Sequence, residues 1–429
     1  MPPHSKPREL VLLDKSQDGY ALRTRLATML SLCALLLFTA SFAARAGFAS
    51  LLTTYAARSN DLTAADAAVV VNSWDAAAHQ MRGAMLEAND EIAGAASEYA
   101  LAVTLRPVDY VLWMSLAHVR ELNGDGEGAL AAARQAVQLA PHYAQPHWQL
   151  GNLQVRLGQR DEGFAELRVA AASNPELLPS IIDLAWQLTA GDEQFVRTAI
   201  QPKSAETAGA LAEFFIKQGK FSAAVAVISE AGNSLADTDR RYVEQLVNAK
   251  QFAAAYEVWS INHPAGNGSA LNDAGFDQGS DLDEPGFGWR AQKSNGVLLS
   301  LDEANPREGR SCLKIEFKGE SDPGVAIISQ LVMVQPGSHY RLQLAARSEE
   351  IVSGGLPGVV VVDVASGQVL GKSGAFPLPS NGWKDYQIDL TIPEKSSTIQ
   401  ILVQRVGCSK TPCPIFGRLW LDAFVLGKQ

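Results

Sequence analysis

Three prolines, Pro107, Pro141 and Pro175, stand 34 residues apart twice over, and the same offset joins Leu116, Leu150 and Leu184. Ala117, Gly151 and Ala185 share it, as do Gly124 and Gly158. A fixed period of this length calls for a stack of like units, because one short unit cannot bury its apolar face alone. Between the prolines each unit reads as two apolar-periodic helices, over residues 110–122 and 127–139, then 145–157 and 161–172. Small residues (Ala117, Gly151, Ala129, Gly163) stand where two helices must approach closely. Gly124 and Gly158 make the turns between helices, and proline closes each pair because it cannot continue a helix.

The Leu-Gly/Ala step, glycine turn, alanine and terminal proline over residues 107–175 resemble the tetratricopeptide repeat, a 34-residue helix-turn-helix that stacks into an α-solenoid. Residues 90–105 align as an upstream second helix. Leu211, Ala212, Gly219 and Ala224 repeat the internal spacings downstream, and residues 245–261 read as a last degenerate pair. Five or six pairs across residues 62–262 are expected, within a solenoid domain of 59–262. The resemblance implies a protein partner held by the repeats.

Residues 26–44 form a run of 19 without a charge, which at about 1.5 Å per residue matches the roughly 30 Å of bilayer hydrocarbon. We read a cytoplasmic tail at 1–25 and a transmembrane helix at 26–52. Lys6, Arg8, Lys15, Arg23 and Arg25 precede the run against three acids, whereas Arg45 and Arg58 after it are quickly followed by Asp61, Asp66 and Asp75. That asymmetry keeps the amino terminus in the cytoplasm and places the rest outside, in a periplasm or its equivalent. The alternative is a cleaved signal peptide with a site near Ala44.

Charge separates the helical block from the carboxy-terminal region. Residues 59–269 hold 25 acids and 14 bases, and residues 270–429 hold 18 and 15. An overall net charge of -10 argues against nucleic acid as a partner. The acidity of the helices suits either a groove for basic or polar protein segments or a solvated outer face.

Past a linker at 263–269 (HPAGNGS) the apolar period changes from about 3.6 to 2. Leu313, Ile315 and Phe317 alternate, as do Tyr340, Leu342 and Leu344, then Tyr386, Ile388 and Leu390. Eight or nine strands over 270–429 predict an antiparallel β-sandwich, a jelly roll. The fold class expected is therefore multidomain: one transmembrane helix, an α-solenoid, then the sandwich. The order GFD at 275–277, GWR at 288–290, QPGSHYRLQLAAR at 335–347, NGW at 381–383 and RLWLDAFVL at 418–426 is similar to galactose-binding-like carbohydrate-binding modules. By that resemblance Asp277 and Asp422 hold a structural calcium, the one cofactor expected; a turn Asp and a hydrogen-bonded strand Asp are the plain alternatives. A polysaccharide partner is implied likewise. Phe287, Phe376, Tyr386 and Trp420 are the candidates for stacking on sugar, each weighed against core packing. Trp289, Tyr340 and Trp383 fall on framework positions of the resemblance.

Cys408 and Cys413 enclose SKTP, a spacing that a small loop disulfide closes in an oxidising compartment; zinc lacks further ligands nearby. Cys312 reads as a buried small residue and Cys33 as part of the apolar run. No serine-nucleophile elbow, HExxH helix, phosphate loop or dinucleotide fingerprint is present, so no catalytic residue is assigned. The expectation is a non-enzymatic scaffold at a bacterial cell envelope, in exopolysaccharide assembly or export. The alternative is an accessory subunit of, or enzyme in, polysaccharide processing.

Overall fold

The computed structural model describes residues 15–232, 236–263, 270–279, 282–292, 294–319, 321–376, 382–405, 407–408 and 412–429. The expected linker at 263–269 lies, beyond His263, outside the described residues, as does most of the expected cytoplasmic tail at 1–25. The chain divides into two compact units, residues 1–177 and 178–429.

The first unit holds α1 (Lys15–Ser59), α2 (Leu62–Val71), α3 (Ala76–Ala88), α4 (Ile92–Leu105), α5 (Tyr110–Leu122), α6 (Gly126–Leu139), α7 (Ala144–Arg156) and α8 (Arg160–Ser173). Asp61, Asp75, Asp109 and Asp125 cap four of these helices, each carboxylate accepting from a main-chain N–H of the first turn. The turn within each pair needs a left-handed residue, supplied by Asp90, Gly124 and Gly158 at φ 64°, 80° and 85°. Pairs α3/α4, α5/α6 and α7/α8 pack closely. Gly151 and Gly163 stand where the last of these pairs nearly touches. A Cβ on Gly151 would come 2.8 Å from the Gly163 carbonyl oxygen, and one on Gly163 would come 2.7 Å from Val155. α1 is one helix from the apolar run to Ser59, and its end packs on α2 and α3, so it completes the first pair.

A second 34-residue register, invisible in the proline ladder, bolts the helices of two of the pairs, α3/α4 and α7/α8. His147 Nε2 donates to the Pro141 carbonyl at 3.0 Å, and its Nδ1 faces Glu166 at 2.5 Å. His79, Ser73 and Glu98 repeat this two periods earlier, at 3.0 and 2.6 Å. The carbonyl can only accept, so Nε2 carries hydrogen and a further proton sits between Nδ1 and the carboxylate. In the intervening pair Trp113 replaces histidine, its Nε1 donating to the Pro107 carbonyl at 2.8 Å, and Ala132 replaces the glutamate. Indole has no second nitrogen, so no carboxylate is needed.

The second unit opens with α9 (Leu178–Leu188), α10 (Glu193–Ile200), α11 (Ala205–Lys217), α12 (Phe221–Ala231), α13 (Ala236–Asn248) and α14 (Phe252–Asn262). The last pair is thus longer than the 245–261 pattern suggested. Among the described residues ten strands follow: β1 (Arg290–Ala291), β2 (Val297–Asp302), β3 (Cys312–Gly319), β4 (Ala326–Met333), β5 (His339–Ser353), β6 (Pro357–Asp363), β7 (Val369–Lys372), β8 (Lys384–Thr391), β9 (Thr398–Arg405) and β10 (Ile415–Lys428). They form two antiparallel sheets, ordered β1-β4-β9-β6-β7 and β2-β3-β10-β5-β8. The inner faces meet in one apolar core around Trp289, Phe276, Leu313, Leu342, Val361 and Leu419. The sandwich expected from the period-2 pattern is present, with β1, β2 and β7 beyond the strands that pattern marked.

Candidate functional site

A groove runs along the first helices of the pairs in residues 1–177. Its lining repeats with the chain: Val111 and Gln145, Met114 and Trp148, Ser115 and Gln149, His118 and Asn152 are each 34 apart. Together with Glu87 and Arg156 they enclose a hollow of about 540 Å³. Arg156 is held by both oxygens of Glu121 at 2.6 and 2.9 Å, and His118 lies 3.3 Å from Glu87. Gln149 donates through Nε2 to the Met114 carbonyl at 2.8 Å, while its Oε1 is buried without a hydrogen-bond partner among the described residues. An orphaned acceptor costs about 1–3 kcal/mol unless water or a ligand N–H meets it.

In the sandwich the loop at 307–311 wraps two carboxylates. Asp422 Oδ2 accepts from the main-chain N–H of Arg307 and Glu308 at 2.7 and 3.1 Å. Asp277 Oδ1 accepts from Arg310 and Ser311. Gly309, at φ 69°, allows the wrap, since a Cβ there would fall 2.1 Å from Asp277 Oδ2. The remaining oxygens, Asp277 Oδ2 and Asp422 Oδ1, reach 3.0 and 3.8 Å from the point a Cβ would take on Gly275, though Asp422 Oδ1 also accepts from Ala423. Burial, with the Asp277 charge adding to it, raises the Asp422 carboxyl above its ordinary range despite three main-chain donors. The sequence singled out both residues, and the fold brings them together. Two converging oxygens fit part of a hard-cation site, with main-chain carbonyls and water left to complete it; among the described residues no group of three or more His, Cys, Asp or Glu gathers.

The expected sugar-stacking aromatics are placed otherwise. Phe376 is 0% exposed, Phe287 3% and Trp420 4%, so none offers an open ring face. Phe376 fills the sandwich core, with the half-buried Tyr386 edge-on to it at 5.0 Å. Phe287 packs against Tyr256 and Trp259 of α14 at 5.0 and 5.8 Å. Trp420 faces outward from β10 but is roofed by the Arg347 guanidinium at 4.2 Å, and its Nε1 donates to Asp302 at 2.7 Å. That bond holds the Asp302 carboxyl below its usual range.

Sequence reasoning missed the row to which Trp420 belongs. Across the outer face of the second sheet Lys314, Trp420 and Arg347 are cross-strand partners, and Arg347 also covers Trp383 at 5.6 Å. Arg347 Nε and Trp383 Nε1 are buried without hydrogen-bond partners among the described residues. The signal was present as a single alternation on each strand, but only the register between strands aligns them.

Cys408 and Cys413 are joined by a disulfide, with residues 409–411 outside the described residues. A buried Arg405 anchors it, donating to the carbonyls of Gly355 and Cys413 at 3.1 and 2.8 Å and to Ser353 Oγ at 2.9 Å. Burial lowers the Arg405 pKa. Cys312 is buried as expected, its thiol pushed up to about 12 by burial and the nearby Asp422 and Asp302.

No protein-family model matches the chain, and no curated protein matches it. Among solved structures the chain is similar to YrrB, described as a TPR protein with an unusual peptide-binding site, at 19% identity over 39% of this chain and 89% of that one, TM-score 0.31. MamA matches at 13% identity over 42% of this chain and 94% of its own, TM-score 0.33. A family 61 carbohydrate-binding module, TmCBM61, solved with β-1,4-galactotriose, matches at 18% identity over 38% of this chain and 100% of that one, TM-score 0.27.

Proposed function

We propose that this chain is a single-pass, non-enzymatic scaffold that holds an extended protein segment in its helical groove. The observation that carries the reading is the 34-residue periodicity of the groove lining, ending at the buried Gln149 Oε1, unpartnered among the described residues. A groove that repeats with the chain suits a ligand that is itself a chain, and an orphaned carbonyl suits a backbone N–H. A photo-crosslinking residue placed at Trp148 should trap one discrete partner in cells, and the same residue at the solvent-facing Arg134 should not. Equal labelling from both positions would defeat the reading.

The helix α1 is long and apolar enough to cross a membrane. With bases upstream and acids downstream, we place the amino terminus in the cytoplasm and the repeats and sandwich outside it, at a bacterial cell envelope. A role in exopolysaccharide assembly or export rests on the resemblance of the sandwich to glycan-binding modules. Within the sandwich, the Lys314–Trp420–Arg347–Trp383 row, with two N–H groups unpartnered among the described residues, supports sugar binding better than Phe287, Phe376 or Tyr386. We assign Asp277 and Asp422 to a structural calcium; bound there, the cation would neutralise two facing carboxylates and fasten the 307–311 loop to the last strand.

A further inference from the structure

We propose that the turns joining each second helix to the next first helix, in residues 1–177, rest in the lipid headgroup layer beside the exit of α1. The inference rests on reading α1 as a membrane-spanning helix. Topology places these turns. α1 runs outward from its apolar run at 26–44, the left-handed Asn60 reverses the chain, and α2 returns about 15 Å toward the membrane at ~1.5 Å per residue.

The packed stripe of α1 fixes the height. Ala49 and Ala56 are fully buried and Ala46, Leu52 and Thr53 half-buried, the one-face spacing of a helix, with α2 and α3 packed on α1. That stripe starts two residues beyond the apolar run. The turn after α2 therefore lies about 3–8 Å past the end of the run, and the polar layer on each side of the hydrocarbon is itself about 5–8 Å deep. No spacer holds the repeats off the surface. Because the helices alternate in direction, the turns at 106–109 and 140–143 emerge on the same edge as 72–75.

The side chains of that edge fit a membrane. Among described residues 62–177, the four most exposed large apolar side chains are Val70 at 84%, Trp74 at 79%, Val108 at 76% and Tyr143 at 60%. All four lie on it. Aromatic rings settle at the membrane–water interface, one face apolar and one atom wet. Arg106 and His142 are exposed beside them, and the edge's acids, Asp75 and Asp109, are turned to helix caps and lie 4.0 and 3.9 Å from Arg106. The opposite edge carries Asp90, Glu91, Asp125, Glu127, Asp161 and Glu162 against Arg120, Arg156 and Arg160, and so stays acidic. Anionic lipid would repel that edge and accept the first.

The full chain, reconstituted into vesicles containing anionic lipid with bromine on the upper acyl chains, tests this. The emission lost on Trp74→Phe reports Trp74 alone. We expect it to be quenched by the brominated lipid, with the signal similarly assigned to Trp148 unaffected. Val70→Asp combined with Val108→Asp should lower Trp74 quenching by about twofold or more, as charge is driven from the headgroup layer. Alkaline extraction separates the two readings. Protein that resists extraction while Trp74 stays unquenched overturns the docked edge and keeps the membrane span. Protein released by alkali overturns the span, and the docked edge with it.

Discussion

The helical pairs of residues 1–177 and the β-sandwich that ends the second unit, its strands running from Arg290 to Lys428, reach a buried core by opposite routes. In the pairs nearly every packing partner is close in sequence, so one motif repeated at 34 residues suffices. In the sandwich the central strand β10 pairs with β3 and β5, joining Trp420 to Lys314 and Arg347 across long stretches of chain. Damage to the pairs should therefore stay local, whereas damage to the sandwich should spread.

The sharpest break is Trp289→Ala. It removes a ring stacked on Phe276 at 5.2 Å and edge-on to Phe424 at 5.1 Å, and should cost about 3–5 kcal/mol, lowering protection from hydrogen exchange across both sheets. Gly163→Val should cost about 1–3 kcal/mol by forcing α7 and α8 apart, with exchange rising in that pair and little in α3/α4. Opening the Cys408–Cys413 bridge by replacing both with serine should cost about 2 kcal/mol, read by chemical denaturation.

Smaller effects sharpen the comparison further. Glu166→Ala alone should cost about 1 kcal/mol, because His147 Nδ1 loses its partner; adding His147→Trp recreates the middle pair and should restore most of it. The Asp422 carboxyl is raised in the folded state, so without a cation its contribution is favourable below the unfolded value and is lost as pH rises through the raised one. Calcium should therefore raise the melting temperature more at neutral than at acid pH, and Asp422→Asn should abolish that difference. A melting curve indifferent to calcium at neutral pH would remove the metal assignment.

The sequence made the helices of residues 110–173 legible almost to the residue, because proline, glycine and apolar spacing act locally. It did not expose the His147–Glu166 bolt, since a histidine reads the same until the helix bearing its partner is packed beside it. In the sandwich the alternating strands announced their inner faces, and the resemblance placed Asp277 beside Asp422. Core packing was the alternative weighed for Phe287, Phe376 and Trp420, and all three are buried, but what covers each was not legible. Whether an aromatic faces a core, a neighbouring helix or solvent depends on strand register and on what covers it. Arg405 was missed for the same reason, as its acceptors come from three separate segments, at Ser321, at Ser353 and Gly355, and at Cys413.

The unbroken course of α1 has a mechanical side. A helix without proline or a hinge from Lys15 to Ser59 is a stiff shaft, and Ala49 and Ala56 key the first pair onto it. Turning that shaft by one residue's step of about 100° would swing the repeats around the membrane normal through the same angle. Inserting or deleting a single residue between Ala44 and Ala49 would thus re-aim the groove like a compass needle, leaving each surface intact but pointed elsewhere.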